Sequence, residues 1–424
     1  MNNFQNTLSF AQQQDQADPL REYRSQFLIP QKDGESITYF CGNSLGLQPR
    51  SARAALDREL DVWQHHGVEG WFEGDEPWLY YHRYCKEPLA KIVGALPSEV
   101  CPMNNLTVNL HLMLTSFYRP EGNRTKVLTV AGDFPSDQYA LETHIRSRGF
   151  DPSEAIIEVK PQEGEYTLQT EAILEAIRSN QDSLALVMMS GLHYYTGQVF
   201  EMEKIAAEAH RWGIPVGFDL AHAIGNAPLQ LHDWGVDFAI WCSYKYVNSG
   251  PGGVSGVFVH DKHHDANLNR LAGWWGYDEA RRFEMTKGFV PMPGADGWQL
   301  STPTILALAV HRASLAIFDQ AGIENLRAKS VRLTAYLEFV LDEINKAYGS
   351  PIIQMTPTDP AARGAQLSLL VNARGKELFD HLVMQNIIGD WREPNCIRLA
   401  PTPLYNTYEE VWRVGQVIKA FYEG

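Results

Sequence analysis

The sequence predicts an α/β protein: a large unit with a mainly parallel sheet flanked by helices, followed by a smaller α+β unit. Two observations carry that prediction. From about residue 85 onward, short apolar runs alternate with amphipathic segments, the pattern of strand–helix–strand crossovers and parallel pairing. After about residue 303 the rhythm changes to two long helical stretches followed by short mixed elements. The chain has 424 residues, 44% of them apolar and 21% charged, enough for a large core. Wholesale disorder, collagen-like repeats and a coiled coil are excluded by that composition.

In chain order, residues 1–20 are polar and read as an arm or short helix. Ile37–Cys41 reads as a strand ending at Gly42-Asn43-Ser44. Ser51–His65 has helical spacing, with Ala54, Leu56, Leu60 and Val62-Trp63 as the expected buried face. The next strands are Lys126–Val130, Leu184–Met189, Ile214–Phe218, Phe238–Cys242 and Gly256–Val259. Helices Leu106–Phe117, Asp137–Arg148, Thr170–Ser179 and Phe200–Trp212 lie between them. Helices Thr304–Gln320 and Ile323–Tyr348 follow, then a strand at Gln366–Val371 and a helix at Lys376–Met384. A strand near Cys396–Leu399 and a helix at Glu409–Tyr422 close the chain. We expect residues 1–60 to pack with the small domain, 61–303 to form the large domain and 304–424 the small one.

The formal net charge is −15. So acidic a surface repels phosphate backbones, so nucleic acid is not an expected partner. The cysteine count of five is odd and contains no C-x-x-C pair, which points to a reducing compartment. The first residues lack the basic start and apolar run of a signal peptide, and no apolar stretch is long enough for a membrane helix. A cytoplasmic protein is expected.

Several motifs can be set aside. There is no P-loop and no H-E-x-x-H. The adjacent pairs His65-His66 and His263-His264 point their rings apart, so no metal site is expected. Gly250–Gly256 (GPGGVSG) misses the dinucleotide pattern at Ser255. Gly42–Gly46 does fit G-x-S-x-G, the serine nucleophile elbow. That elbow needs a helix directly after the serine, whereas Leu47-Gln48-Pro49 follows here. A serine hydrolase built on Ser44 is a distant alternative.

The informative region is Ile214–Gly253. Asp219 follows one predicted strand, with His222 three residues on. Lys245 follows the next strand, in Ser243-Tyr244-Lys245-Tyr246, ahead of a Gly-Pro-Gly-Gly turn. A lysine beside apolar strands loses its proton more readily and becomes a nucleophile toward an aldehyde. A carboxylate facing the same crevice holds a protonated ring nitrogen. Those two demands are the ones pyridoxal 5'-phosphate makes. A phosphate is served by a helix start, which Asn105-Leu106-Thr107 supplies. Phe134 is placed to stack on a pyridine ring, Asp137 to cap the next helix or face the cofactor, and Ser190 closes a strand. Taken singly, each of these residues has a plain structural explanation; the lysine–aspartate pair at successive strand ends outweighs them.

The strings YFCGNSLGLQP (39–49), NNLTVNLH (104–111), DFPSDQYA (133–140), GFDLAHAIGN (217–226), WCSYKYVNSGPGG (241–253), GWWG (273–276), WQLSTP (298–303) and IRLAPTPLYNTYEEV (397–411) resemble the kynureninase family. These are pyridoxal-phosphate enzymes of the aspartate-aminotransferase fold type. The resemblance runs in order from about residue 36 to the end. It implies hydrolytic Cβ–Cγ cleavage of L-kynurenine or its 3-hydroxy derivative, giving anthranilate or 3-hydroxyanthranilate and L-alanine. It further implies that Lys245 bonds the cofactor aldehyde, Asp219 and His222 lie against it, and Phe134 stacks on it with Asp137 near. Leu106, Thr107 and Tyr244 would hold the phosphate, with Tyr244 also a proton relay. Trp274 and Thr302 would reach that phosphate from the neighbouring subunit of a homodimer with shared sites. Arg398 would fork the substrate carboxylate. Trp71 and Trp78 are expected to line the aryl pocket. A cysteine desulfurase or aminotransferase of the same fold and a non-catalytic scaffold are the other readings.

Overall fold

The computed structural model describes residues 4–424. Its centre is a seven-stranded sheet. From one edge to the other the strands are Val100–Pro102, Gly256–Val259, Phe238–Trp241, Val216–Asp219, Leu184–Ser190, Lys126–Val130 and Ile156–Val159. The last five run parallel, while Gly256–Val259 is antiparallel to both of its neighbours. All seven residues of Leu184–Ser190 are buried, as a strand covered on both faces requires. Its alternate side chains divide between two cores. Val187 and Met189 join one, Leu186 and Met188 the other. Gly217 is glycine because a Cβ there would lie 2.0 Å from the Phe238 ring on the adjacent strand.

Two of these strands had no clear signal in the sequence. Val100–Pro102 and Ile156–Val159 are three and four residues long, and their pairing partners define them. The strand expected at Ile214 begins at Val216.

The small unit has a four-stranded antiparallel sheet in the order Ile352–Gln354, Leu367–Val371, Cys396–Leu399, Asp390–Arg392. Helices Ile323–Tyr348 and Tyr408–Glu423 share its core through Leu337, Val340, Val411 and Val414. The helix Leu8–Ala17 packs here too, with Ala11 in that core. Thr38–Tyr39 pairs with Ile387–Ile388. Helix Ile305–Ala321, by contrast, places Leu308, Leu315 and Phe318 in the large core. Leu326 of the next helix joins that core too.

Helix Ser51–His66 corrects another expectation. Leu60 and Trp63 are 43% and 62% exposed, while Glu59 is buried. The reason is chemical: the Glu59 carboxylate accepts hydrogen bonds from Trp78 Nε1 (2.8 Å) and Tyr81 Oη (2.7 Å), so a charged face turns inward where it is fully paired. Among the described residues no helix is long and apolar enough to cross a membrane.

Candidate active site

The site forms where the central strands stop. Ser190 and Asp219 are register partners at the ends of their strands, so their side chains reach the same crevice. Lys245 comes from the turn after the neighbouring strand Phe238–Trp241. A cavity of about 170 Å³ opens there. Leu106, Thr107, Phe134, Asp137 and Ser190 line it on one side, and Asp219, His222, Tyr244 and Lys245 on the other.

Lys245 Nζ lies 2.9 Å from His222 Nε2. It stands 5.8 Å from the Phe134 ring centre and 5.9 Å from that of Tyr244. Burial, with the Lys245 charge next, holds the His222 imidazole well below its usual value. The ring is thus neutral at pH 7. Burial raises the Tyr244 phenol, which therefore keeps its proton.

The carboxyls of Asp137 and Asp219 line the same cavity and influence one another. Burial pushes Asp137 well above the usual carboxylate range, and the Asp219 charge adds to that push. Burial raises Asp219 as well, but the Ala221 N–H, donating to its Oδ1 at 2.6 Å, and the Lys245 charge oppose the shift. Asp137 is thus the more readily protonated member of the pair. Asp133, passed over in the sequence, is the frame of this group. Its Oδ1 accepts from the Phe134 N–H (3.1 Å) and its Oδ2 from the Ser190 N–H (2.9 Å). A signal existed: Asp133 closely follows a strand, as Asp219 does.

Thr107 and Ser136 stand in the first turns of helices Leu106–Phe117 and Pro135–Ser147, their hydroxyls 3.0 Å apart. Two helix starts converging with paired hydroxyls make an anion cradle. Ser136 was also passed over. Tyr194 was a third omission. Its ring packs edge-on against Phe134 at 5.3 Å, and its carbonyl accepts from Arg398 Nη1 at 2.6 Å.

Arg398 is wholly buried on the strand Cys396–Leu399. It pairs with Asp390 and leaves Nε without a partner. Arg398 and the remaining expected residues do not line the cavity. Trp274 is 42% exposed and packs edge-on against Trp275 and Phe283, and Thr302 is exposed. Trp78 is turned into the core by its bond to Glu59, with Trp71 edge-on against it at 5.7 Å. Neither tryptophan lines the cavity at Lys245. Ser44 is exposed in a turn, and no helix starts between it and Ser51, so the nucleophile elbow is not formed. The glycines around it have another purpose. A Cβ on Gly46 would lie 2.3 Å from the Lys245 carbonyl oxygen and 2.2 Å from Asn248 Oδ1, so this run passes directly against the lysine-bearing turn.

The donor set fits pyridoxal phosphate. Asp137 Oδ1, Ser190 Oγ and His222 Nδ1 are buried without partners around the cavity, as a polar ring substituent would require. Phe134 is 42% exposed at its edge, an apolar face free for stacking.

Comparison with known proteins agrees with this chemistry. Residues 80–358 match the aminotransferase class-V family, and residues 326–418 match the kynureninase C-terminal domain. A kynureninase from Flavobacterium psychrophilum is 52% identical over 98% of both chains. One from Xanthomonas oryzae pv. oryzae is 52% identical over 95% of this chain and 96% of its own. Among solved structures, a cysteine desulfurase from Thermococcus onnurineus NA1 has a TM-score of 0.75 at 16% identity, covering 92% of this chain and 95% of its own. A C-DES variant with glycine linked to its PLP cofactor has a TM-score of 0.75 at 18% identity, with 90% and 96% covered. These structures share the fold.

Proposed function

The chain belongs to the kynureninase family, and from that premise we propose how its residues divide the reaction. The enzyme uses pyridoxal phosphate to hydrolyse the Cβ–Cγ bond of a kynurenine-type small molecule, releasing an anthranilate and L-alanine. When bound, the cofactor supplies an aldehyde to capture the substrate amine and a protonated ring to accept the electrons of the breaking bonds.

Lys245 holds the cofactor covalently and afterwards moves the substrate α-proton. The neutral His222, 2.9 Å from its Nζ, hydrogen-bonds the amine and keeps it aimed. Asp219 contributes the anion that keeps the ring nitrogen protonated, and the protonated Asp137 beside it leaves that charge single. The helix starts at Leu106 and Pro135, with Thr107 and Ser136, hold the phosphate. Tyr244, which keeps its proton, relays one to the product carbon. Arg398 offers its unpartnered Nε toward the substrate carboxylate, its guanidinium fixed by Asp390 and the Tyr194 carbonyl.

We read the assembly as a homodimer with shared sites. An apolar groove of about 910 Å³, lined in part by Leu28, Leu56, Leu60 and Gly250–Gly253, supports it. So do the exposed Trp274 and Thr302, which the family places against the partner's phosphate. We also place the enzyme in the cytoplasm, where its five free cysteines stay reduced.

The observation that carries the reading is the Lys245–His222–Asp219 group at the ends of neighbouring strands. A desulfurase would need an accessible thiolate. Here burial pushes Cys41 and Cys396 up to about 11 and Cys85 to about 12. The purified protein should be yellow, bleach with borohydride and produce anthranilate fluorescence from kynurenine. Lys245→Ala should lose colour and turnover together; a variant that still releases alanine at the normal rate overturns the assignment.

A further inference from the structure

A second cluster of ligating side chains lies at the other end of the large sheet from Lys245 and Asp219. Glu99 directly precedes the edge strand Val100–Pro102, and His260 directly follows Gly256–Val259. These strands pair antiparallel with Phe258 opposite Val100, which brings the two side chains together. His232 enters from the loop before Phe238, and Asp261 follows His260 in the chain. Each of the four offers one ligand atom, and all four atoms lie within 4.8 Å of one another.

We propose that Glu99, His232, His260 and Asp261 bind one divalent transition-metal cation of the Zn²⁺ type, clamping the edge of the large sheet. The cluster would open by about half an ångström to seat the ion. Tetrahedral Zn²⁺ with bonds of about 2.0–2.2 Å sets its ligand atoms roughly 3.3–3.5 Å apart. Glu99 Oε1 lies 2.9 Å from His232 Nδ1 and 3.5 Å from His260 Nδ1, and His260 Nδ1 lies 2.7 Å from Asp261 Oδ1.

Hydrogen bonding around the cluster gives a second, independent argument. His260 Nε2 is 3.2 Å from the His232 carbonyl oxygen. A carbonyl only accepts, so Nε2 carries a hydrogen, while Nδ1 accepts and has its lone pair beside two carboxylate oxygens. The donor facing that lone pair is the Lys262 N–H, at 3.3 Å. Like-signed lone pairs converging on one point call for a cation. Metal-ligating histidines donate their other ring N–H to a carbonyl or carboxylate, as His260 does here.

Glu99 is fully buried and already oriented. Its Oε2 accepts from the Leu96 N–H at 2.8 Å and its Oε1 from the Asp261 N–H at 2.9 Å, and the metal would take the place of the hydrogen between Oε1 and His232 Nδ1, now 2.9 Å apart. Asp261 is exposed and gives the ion a way in. Imidazole with carboxylate selects Zn²⁺, Co²⁺ or Ni²⁺ over Mg²⁺ and Ca²⁺. The four positions span 162 residues between Glu99 and Asp261, so no spacing motif announces them.

The test uses the holoenzyme after chelator dialysis, titrated with ZnCl₂ by calorimetry and with CoCl₂ by visible spectroscopy. The wild type should take up about one Zn²⁺ per chain and show the d–d bands of tetrahedral Co²⁺. His232→Ala should weaken Zn²⁺ binding by at least about tenfold and abolish those bands, with kynurenine turnover unchanged. Asp261→Asn, at an exposed position, serves should His232→Ala not fold. No Zn²⁺ uptake by the wild type, or unchanged affinity and bands in a folded variant, overturns the proposal.

Discussion

Asp137 and Asp219 place two carboxyls where there is room for one charge. Burial penalises ionisation of both, and backbone donation to Asp219 settles which one keeps it. The assignment predicts unequal effects from equally small changes. Asp137→Asn replaces a protonated acid with a neutral isostere and should keep kcat within about threefold of the wild type, a difference well under 1 kcal/mol. Asp219→Asn removes the anion. It should lower kcat by about a hundredfold, the equivalent of roughly 3 kcal/mol of charge-assisted hydrogen bonding. Steady-state kinetics with cofactor content followed by absorbance will tell; equal losses in the two variants would assign the charge wrongly. At this scale the sequence was informative. Lys245, Asp219 and Phe134 follow short apolar strands, so their position at a sheet end was readable. Asp133 carried the same mark and was passed over because its partners are backbone N–H groups, which no side-chain pattern reveals.

Helix Ile305–Ala321 illustrates the element scale. Its spacing was readable, but its partner was not, because an apolar stripe does not say which core it fills. His311 on this helix is fully buried, and neither ring nitrogen has a hydrogen-bond partner. Burial lowers its pKa from 6.5 to about 3. The folded protein therefore keeps the ring neutral while the unfolded chain takes up a proton below about 6.5. Stability is lost as pH falls from 6.5 toward 3, at up to about 1.4 kcal/mol per pH unit. His311→Leu should raise stability by about 1 kcal/mol at pH 7 and by more at pH 5.5. Urea unfolding at both values is the check, and a variant weaker at both would show the imidazole to be supported in a way these contacts do not reveal.

Across the whole molecule, the small unit is joined to the site by one loop. Arg398 and Gln366 both donate to the Tyr194 carbonyl, and Ser368 Oγ donates to that of Tyr195 at 2.6 Å. Asn226 extends the seam, donating to the His222 carbonyl at 2.9 Å and accepting from the Ala365 N–H at 2.8 Å. Arg398→Ala should therefore raise KM for kynurenine by about tenfold or more while the bound-cofactor absorbance stays; a KM that does not move would deny Arg398 its carboxylate. Composition and apolar rhythm were enough to read the α/β class, the crossover pattern and the chemistry at each strand end, because these depend on residues a few positions apart. The edge strand Val100–Pro102, the inward face of Glu59, the junction through Tyr194 and the Glu99–His260 cluster were not readable. Each depends on groups tens to hundreds of residues apart, brought together by strand register and by the pairing of buried charge, and both exist only once the chain has packed.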